Sequence, residues 1–501
     1  METSSPSSFR LNFNIIYFVT VIFLLIHMGL NYFASPYVLQ TYILLSGLVL
    51  FGVVFCDIKD SLSLVFIHFF IEGQGRVVFG YNPLARIMFD LIVCVYILLH
   101  VIRNKRIFPE NRLPAFLNFL ILGHFIVFFL SLFNNKGVGF WISFPMIKVY
   151  ILPFIVFFIF LDTELDYDSK SFNRLTKTIL WLIILNGVLC LKQFNENSPM
   201  MVAISPYYNE IGKLQSFTKL TFRPYGTSFI PGGISTYLYL TLGLIFLRSS
   251  SWFLFILGTA LSISTLILCQ VRTAMIQYGV LYFAFALFNL RFREKTLKKG
   301  LGIVAVTVLL GGILFGLISV IKENSNQKLV NLTLGRATTI FDKETMSKSR
   351  LGFVDISRII LEKIQENPFG LGPGRTHAIT EQMGLAIDSD PVYNLDYSWN
   401  FDNLWATIAI EFGLAGIFYA ALILAMPLTL FSMAFSAFRR KRIQELRVLF
   451  IASCTVSIIV LANWGGVGIP YNPVSFMFWF WCALGFRAYH TSLSVPVEKL
   501  K

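Results

Sequence analysis

Glu366-Asn367-Pro368-Phe369-Gly370-Leu371-Gly372-Pro373-Gly374-Arg375 interrupts a chain built mostly of apolar runs, and its three glycines and two prolines in ten residues make it a loop. Gly370, Gly372 and Gly374 are free to take positive φ and to leave backbone N–H groups uncovered. Arg375 closes the loop with a planar cationic fork suited to phosphate. Two readings stay open: a tight connection between an amphipathic helix and a membrane span, or a cradle for an anion.

Working outward, Arg350 to Gln365 has helical periodicity. Phe353, Ile356, Ile359, Ile360 and Ile364 fall on one side, with Asp355, Arg358, Glu362 and Lys363 elsewhere. This predicts an amphipathic helix that either lies on the membrane surface or packs over the spans. Beyond the loop come Phe401-Asp402-Asn403-Leu404-Trp405 and Glu411-Phe412-Gly413-Leu414-Ala415-Gly416. Asp402 and Asn403 stand where a span begins, as helix cap or as functional groups. Glu411 stands two turns inside that span. A carboxylate costs about 2.5–3.5 kcal/mol at a span's centre and less near the interface, so Glu411 is expected to face a wet cavity or a partner.

Of the 501 residues, 56% are hydrophobic and only 14% charged. That composition predicts an all-α, polytopic integral membrane protein. The net charge of +14 comes from basic residues clustered in short loops between apolar runs, the mark of cytoplasmic loops, and no nucleic-acid partner is expected. The six cysteines fall in or at the ends of apolar runs, so neither disulfide nor Cys-based metal site is expected. His377 is the one histidine placed in an outer loop, which supports no His-rich metal site; no cofactor is expected.

A span needs roughly 20 residues for about 30 Å of hydrocarbon. Such runs lie near 12–30, 38–56, 84–102, 114–133, 145–161, 175–192, 228–247, 251–269, 272–290, 300–321, 404–433, 446–464 and 472–489, with a weaker one near 61–72. Placing the basic clusters at 103–112, 291–299 and 439–447 in the cytoplasm requires the weak run to cross as well. The expectation is then about 14 transmembrane helices in a single integral membrane domain, 1–501, with both termini cytoplasmic. Its first long extracytoplasmic loop is 193–227, and the large loop 322–403 carries the amphipathic helix and the Gly-Pro motif. No internal repeat of the transporter kind is evident. Arg223, ending the first outer loop, and Arg272, in the short turn between two spans, either snorkel to the interface or join Arg350 and Arg375 around one anion. Tyr207, Tyr208, Tyr225, Tyr393 and Trp399 are candidates for stacking on sugar rings or simply interfacial aromatics.

From Arg223 to about Ala420 the chain resembles the bacterial O-antigen polymerase and O-antigen ligase superfamily of polysaccharide-assembly membrane proteins. The resemblance is carried by Arg223 with Gly226-Thr227-Ser228-Phe229, by Val271-Arg272-Thr273-Ala274, by Arg350, by Asn367-Pro368-Phe369-Gly370-Leu371-Gly372-Pro373-Gly374, and by Asn403 with Glu411 to Gly416. It implies a metal-independent glycosyltransferase of the bacterial cytoplasmic membrane, with its active site on the extracytoplasmic face and a polyprenyl-diphosphate-linked oligosaccharide as donor. Its partners would be membrane lipids and other polysaccharide-assembly proteins such as a flippase or a chain-length regulator. The family's ligases typically carry a His just before the Asn at the head of the glutamate-bearing span; here that position is Asp402, which favours a polymerase. The expected site comprises Asp402, Glu411 and Arg272 as catalytic residues, and Arg223, Arg350, Arg375, Gly370, Gly372, Gly374 and Asn403 as substrate-binding residues, with Asp402 preferred for the acceptor. A ligase, and a lipid-linked oligosaccharide flippase, are the alternatives.

Overall fold

The computed structural model describes residues 12–33, 35–79, 83–105, 113–134, 143, 146–163, 169–196, 217–218, 221–228, 231–248, 252–292, 308, 312, 316, 353–374, 403–463, 469 and 474–494. Arg350, Arg375, His377, Asp402, Tyr207, Tyr208, Tyr393, Trp399 and nearly all of the run 300–321 lie outside the described residues.

In chain order the described elements are α1 (Phe13–Tyr32), α2 (Val38–Phe55), α3 (Ile58–Phe79), α4 (Pro83–Asn104), α5 (Ala115–Phe133), the one-turn α6 (Ile147–Tyr150), α7 (Leu152–Asp162) and α8 (Lys170–Glu196). A two-residue antiparallel ribbon, β1 (Phe217–Thr218) with β2 (Thr221–Phe222), follows. Then come α9 (Pro231–Leu247), α10 (Trp252–Cys269), α11 (Arg272–Phe292), the amphipathic α12 (Phe353–Glu366), α13 (Leu404–Phe412), a 3-10 turn (Gly413–Gly416), α14 (Ile417–Arg439), α15 (Ile443–Ala462) and α16 (Val474–Ser494). Among the described residues six helices are long and apolar enough to cross a membrane: Phe13–Tyr32, Val38–Phe55, Ala115–Phe133, Lys170–Asn195, Ile443–Ala462, and Leu404–Arg439 taken through its break. The chain divides into two compact units, Met1–Lys105 with Thr163–Ile340, and Arg106–Asp162 with Phe341–Lys501.

In the first unit the weak run 61–72 is the middle of α3, a 22-residue helix about 33 Å long. Its low hydropathy has a packing cause. Ser61, Ser63, His68, Glu72 and Gln74 are all buried, turned toward neighbouring helices instead of lipid. Gln74 Nε2 donates to Asn31 Oδ1 of α1 at 2.7 Å, and Ser61 and Tyr96 of α4 share a hydrogen bond of 2.8 Å. Gly52 lets α2 lie close against α3, because a Cβ there would meet Leu64 Cδ1 at 2.2 Å. At one end of α3, Arg103 reaches the Cys56 carbonyl, and Asp60 meets Ser171 and Arg174 of α8. At its other end the Phe70 carbonyl accepts from Thr227 Oγ1 at 2.6 Å. The helix ends that the basic-loop pattern assigns to one face thus lie together within this unit.

The second unit packs around α16, whose residues from Phe476 to Leu484 are all buried. Phe154 and Phe157 of α7 lie against Trp479, with centroids 4.4 and 5.6 Å apart. Arg487 donates to the Leu161 carbonyl at 3.1 Å, joining the two helix ends expected on the cytoplasmic side. Gly123 of α5 sits under the Phe418 ring of α14, where a Cβ would come within 2.2 Å.

The run 404–433, expected as one span, is broken. Gly413 adopts φ 58° and ψ −140°, outside any helix, and Gly413–Gly416 turns as 3-10 before α14 begins. The nine-residue α13 is about 13 Å long and cannot cross a bilayer alone; the 23-residue α14, at about 34 Å, can. The amphipathic helix is present over Phe353–Glu366 among the described residues, and it lies against α13 and the 3-10 turn.

Candidate functional site

In the second unit the Gly-Pro loop is bound to the break after α13. Leu371 N donates to the Ile410 carbonyl at 2.8 Å and Gly372 N to the Glu411 carbonyl at 3.0 Å, while Leu414 N donates back to the Pro368 carbonyl at 2.9 Å. Gly370, at φ 73°, and Gly413 face each other across this seam. A Cβ on Gly370 would stand 2.3 Å from the Glu411 carbonyl oxygen, and one on Gly413 would stand 2.2 Å from that of Pro368. Only glycine supplies both the left-handed conformation and the room. Gly372 and Gly374 also take positive φ, 95° and 96°.

Glu411 is fully buried at the end of α13. Its Oε1 accepts from Gly374 N at 3.0 Å and its Oε2 from the Tyr150 hydroxyl at 2.6 Å. Of the two settings the sequence allowed for this carboxylate, the structure supplies partners. His124 donates through Nε2 to the Tyr150 carbonyl at 3.2 Å and stacks on Tyr419 at 4.4 Å, so the tyrosine is held from both ends. Ser143 Oγ donates to the Pro373 carbonyl at 2.7 Å and Asn134 Nδ2 to that of Phe369 at 3.3 Å. The expectation of uncovered amides is therefore corrected. The N–H groups of Gly370, Leu371, Gly372 and Gly374 all have acceptors in their own chain, because the loop closes onto a helix end rich in carbonyl acceptors. Asn403 caps α13, its buried Oδ1 accepting from Ala406 N at 3.0 Å.

In the first unit the structure brings Arg223 and Arg272 to one place. A two-residue turn, with Gln270 at φ 57°, joins α10 to α11, and Arg272 is the first residue of α11. Arg223 Nε donates to the carbonyl of Cys269, the last residue of α10, at 2.8 Å, and Cys269 Sγ lies 3.1 Å from the Pro224 carbonyl. Arg272 is half-buried and, among the described residues, makes no hydrogen bond or ion pair. As the first residue of α11 it stands at a helix N-terminus, a positive setting.

Behind Arg223, the loop Pro224–Ser228 is buried. Gln193 Oε1 accepts from Tyr225 N at 3.1 Å and Gly226 N at 3.0 Å, and Gln193 Nε2 donates to the Gly226 carbonyl at 3.1 Å. Asn186 Oδ1 accepts from Thr227 N at 2.9 Å and Thr227 Oγ1 at 2.7 Å. Tyr225, a candidate for sugar stacking, is fully buried in this loop and offers no exposed face. Asn186, Gln193, Tyr150 and Ser143 were not singled out from sequence. The signal for the first pair is visible in hindsight: two amides seven residues apart fall on one helix face, Asn186 inside the apolar run Ile179–Leu191 and Gln193 just past its end.

Residues 257–421 match the family model described as O-antigen ligase. The resemblance to the O-antigen polymerase and ligase superfamily holds. The match takes in Arg272, Arg350, the Gly-Pro loop, Arg375, Asp402, Asn403 and Glu411, and leaves Arg223 and its loop outside. No curated protein matches the chain.

Proposed function

We propose that this chain is the polymerase of a bacterial surface polysaccharide, moving a glycan from its polyprenyl diphosphate carrier onto a lipid-linked repeat unit at the outer face of the cytoplasmic membrane. The coarser statement rests on the matched family: a multi-pass membrane protein with polymerase- or ligase-type function in polysaccharide assembly. The observation that carries the finer reading is that Arg223 is bonded to the end of α10, at the turn that leads to Arg272, with Arg272 making no hydrogen bond or ion pair among the described residues.

A diphosphate leaving group gathers negative charge as its bond to the anomeric carbon breaks. Guanidinium groups fixed beside it stabilise that charge in the role a divalent cation plays elsewhere. The acceptor hydroxyl oxygen forms the new bond to the anomeric carbon, polyprenyl diphosphate departs, and the hydroxyl proton passes to solvent. On the resemblance alone, Asp402 is proposed to orient the acceptor hydroxyl, and Arg350 and Arg375 to bind substrate. Glu411 positions the Gly-Pro loop, since both its carboxylate oxygens are already engaged. Asp402, where the family's ligases typically have His, favours the polymerase over a ligase.

Intermediates accumulated in a deletion strain test the reading. Single repeat units on the cell surface are the expected result; long lipid-linked chains would make it a ligase, and lipid-linked units trapped on the inner leaflet a flippase.

A further inference from the structure

We infer that Gln193 and Asn186 of α8 are positioning residues of the diphosphate site, setting where Arg223 stands relative to Arg272. The inference rests on the reading of these two arginines as the diphosphate-binding pair. In a loop with neither helix nor sheet, three consecutive N–H groups, those of Tyr225, Gly226 and Thr227, need acceptors, and two side chains of one helix supply all of them. Gln193 places three hydrogen bonds on the single stretch Tyr225–Gly226, so its amide works like an added strand edge. Asn186 is fixed in turn by its Nδ2 bond to the Leu182 carbonyl at 3.0 Å, which orients its oxygen at the loop.

A loop tied only for stability has no need to reach α10. This one does, twice, at the residue where α10 ends: Arg223 Nε to the Cys269 carbonyl and Cys269 Sγ to the Pro224 carbonyl. Arg223 is therefore held between α8, through residues 225–227, and the turn that presents Arg272. Gly226, at φ 59°, completes the fit: a Cβ there would stand 2.6 Å from Asn186 Oδ1 and 3.3 Å from Cys190 Sγ. Releasing the α8 side loosens the segment that carries Arg223 while its Nε bond to the Cys269 carbonyl remains. The substrate feature it recognises, the diphosphate of the donor, then suffers while the acceptor does not.

The test uses full-length protein in proteoliposomes, with a lipid-diphosphate-linked repeat unit blocked at its own acceptor hydroxyl as donor, an unblocked repeat unit on a lipid without diphosphate as acceptor, and rates expressed per folded molecule. Gln193→Leu is expected to raise the KM for donor about tenfold with the acceptor KM unmoved, and Gln193→Glu, which keeps the acceptor oxygens and loses the donor to Gly226, to fall between. On an Arg223→Ala background Gln193→Leu should add little, because the two act on one placement. An unchanged donor KM in Gln193→Leu, alongside an impaired Arg223→Ala, overturns the inference and leaves the diphosphate reading standing. Normal activity in both Arg223→Ala and Arg272→Ala overturns that reading and the inference with it. If Gln193→Leu fails to fold, Gln193→Glu and Asn186→Asp decide, and unchanged donor KM in both overturns the inference.

Discussion

Residues 368–374 and residues 223–228 are both irregular segments folded against membrane helices, where every enclosed N–H and C=O needs a partner. They meet that need by opposite means. The seam between the Gly-Pro loop and the end of α13 is held main chain to main chain, so the residues that seam depends on are the ones with no side chain, Gly370 and Gly413. The arginine loop is held largely by side chains of another helix, so it depends on Gln193 and Asn186, which lie outside the motif they serve. A motif in the sequence therefore reports its own support in the first case and conceals it in the second.

The severest way to break the Gly-Pro seam is Gly413→Ala. Left-handed strain and a backbone clash each cost about 1–3 kcal/mol, and the contacting atoms belong to main chain that cannot rotate away. Little folded protein is expected by fluorescence-detected size exclusion, and a normal elution profile would show that the loop is not seated on α13. Arg272→Lys separates chemistry from support in the other region. The charge stays but the planar fork is lost, so the transfer rate should fall at least about tenfold while thermal stability is unchanged, since the native side chain has no hydrogen bond among the described residues. Full activity in Arg272→Lys would remove the bidentate argument.

Tyr150→Phe addresses one of the places where the Gly-Pro loop leans on side chains. It leaves Glu411 Oε2 without the tyrosine's hydrogen bond, at a cost of about 1–3 kcal/mol, seen as a lowered melting temperature with donor KM unaltered per folded molecule. A raised donor KM would mean that the Gly-Pro loop, too, touches the diphosphate. The smallest effect belongs to Gly279→Ala in α11, where nothing lies within 4 Å of the added Cβ; helix propensity favours the alanine by about 0.5–1 kcal/mol, and destabilisation there would reveal a contact not described.

The sequence made the helices legible because their apolar runs obey the length a bilayer imposes; α1, α2, α5, α10 and α15 end within a few residues of where hydropathy ends. It underrated α3, since the polar residues that weakened the run face neighbouring helices. It missed the break at Gly413 because Leu414, Ala415 and Ile417 keep the stretch apolar, and a backbone dihedral leaves no mark on hydropathy. Glu411 was visible as an anomaly, but its partner Tyr150 looked like any interfacial tyrosine. The amides of α8 were readable only as residues too polar for their surroundings.

The hydrogen bond between Tyr150 and Glu411 spans 261 positions of chain, and residues 106–162 belong to a unit whose remainder begins at residue 341. A ribosome adding about 5–20 residues per second leaves α5 to α7 waiting on the order of ten to forty seconds for the partners that complete their packing. In that interval the Tyr150 hydroxyl and the His124 ring sit in the bilayer without the carboxylate and aromatic neighbours they later acquire. Biogenesis of this protein should therefore lean on the insertion machinery to shelter that hairpin, and slowing translation downstream of residue 162 should lower the yield of the second unit more than that of the first.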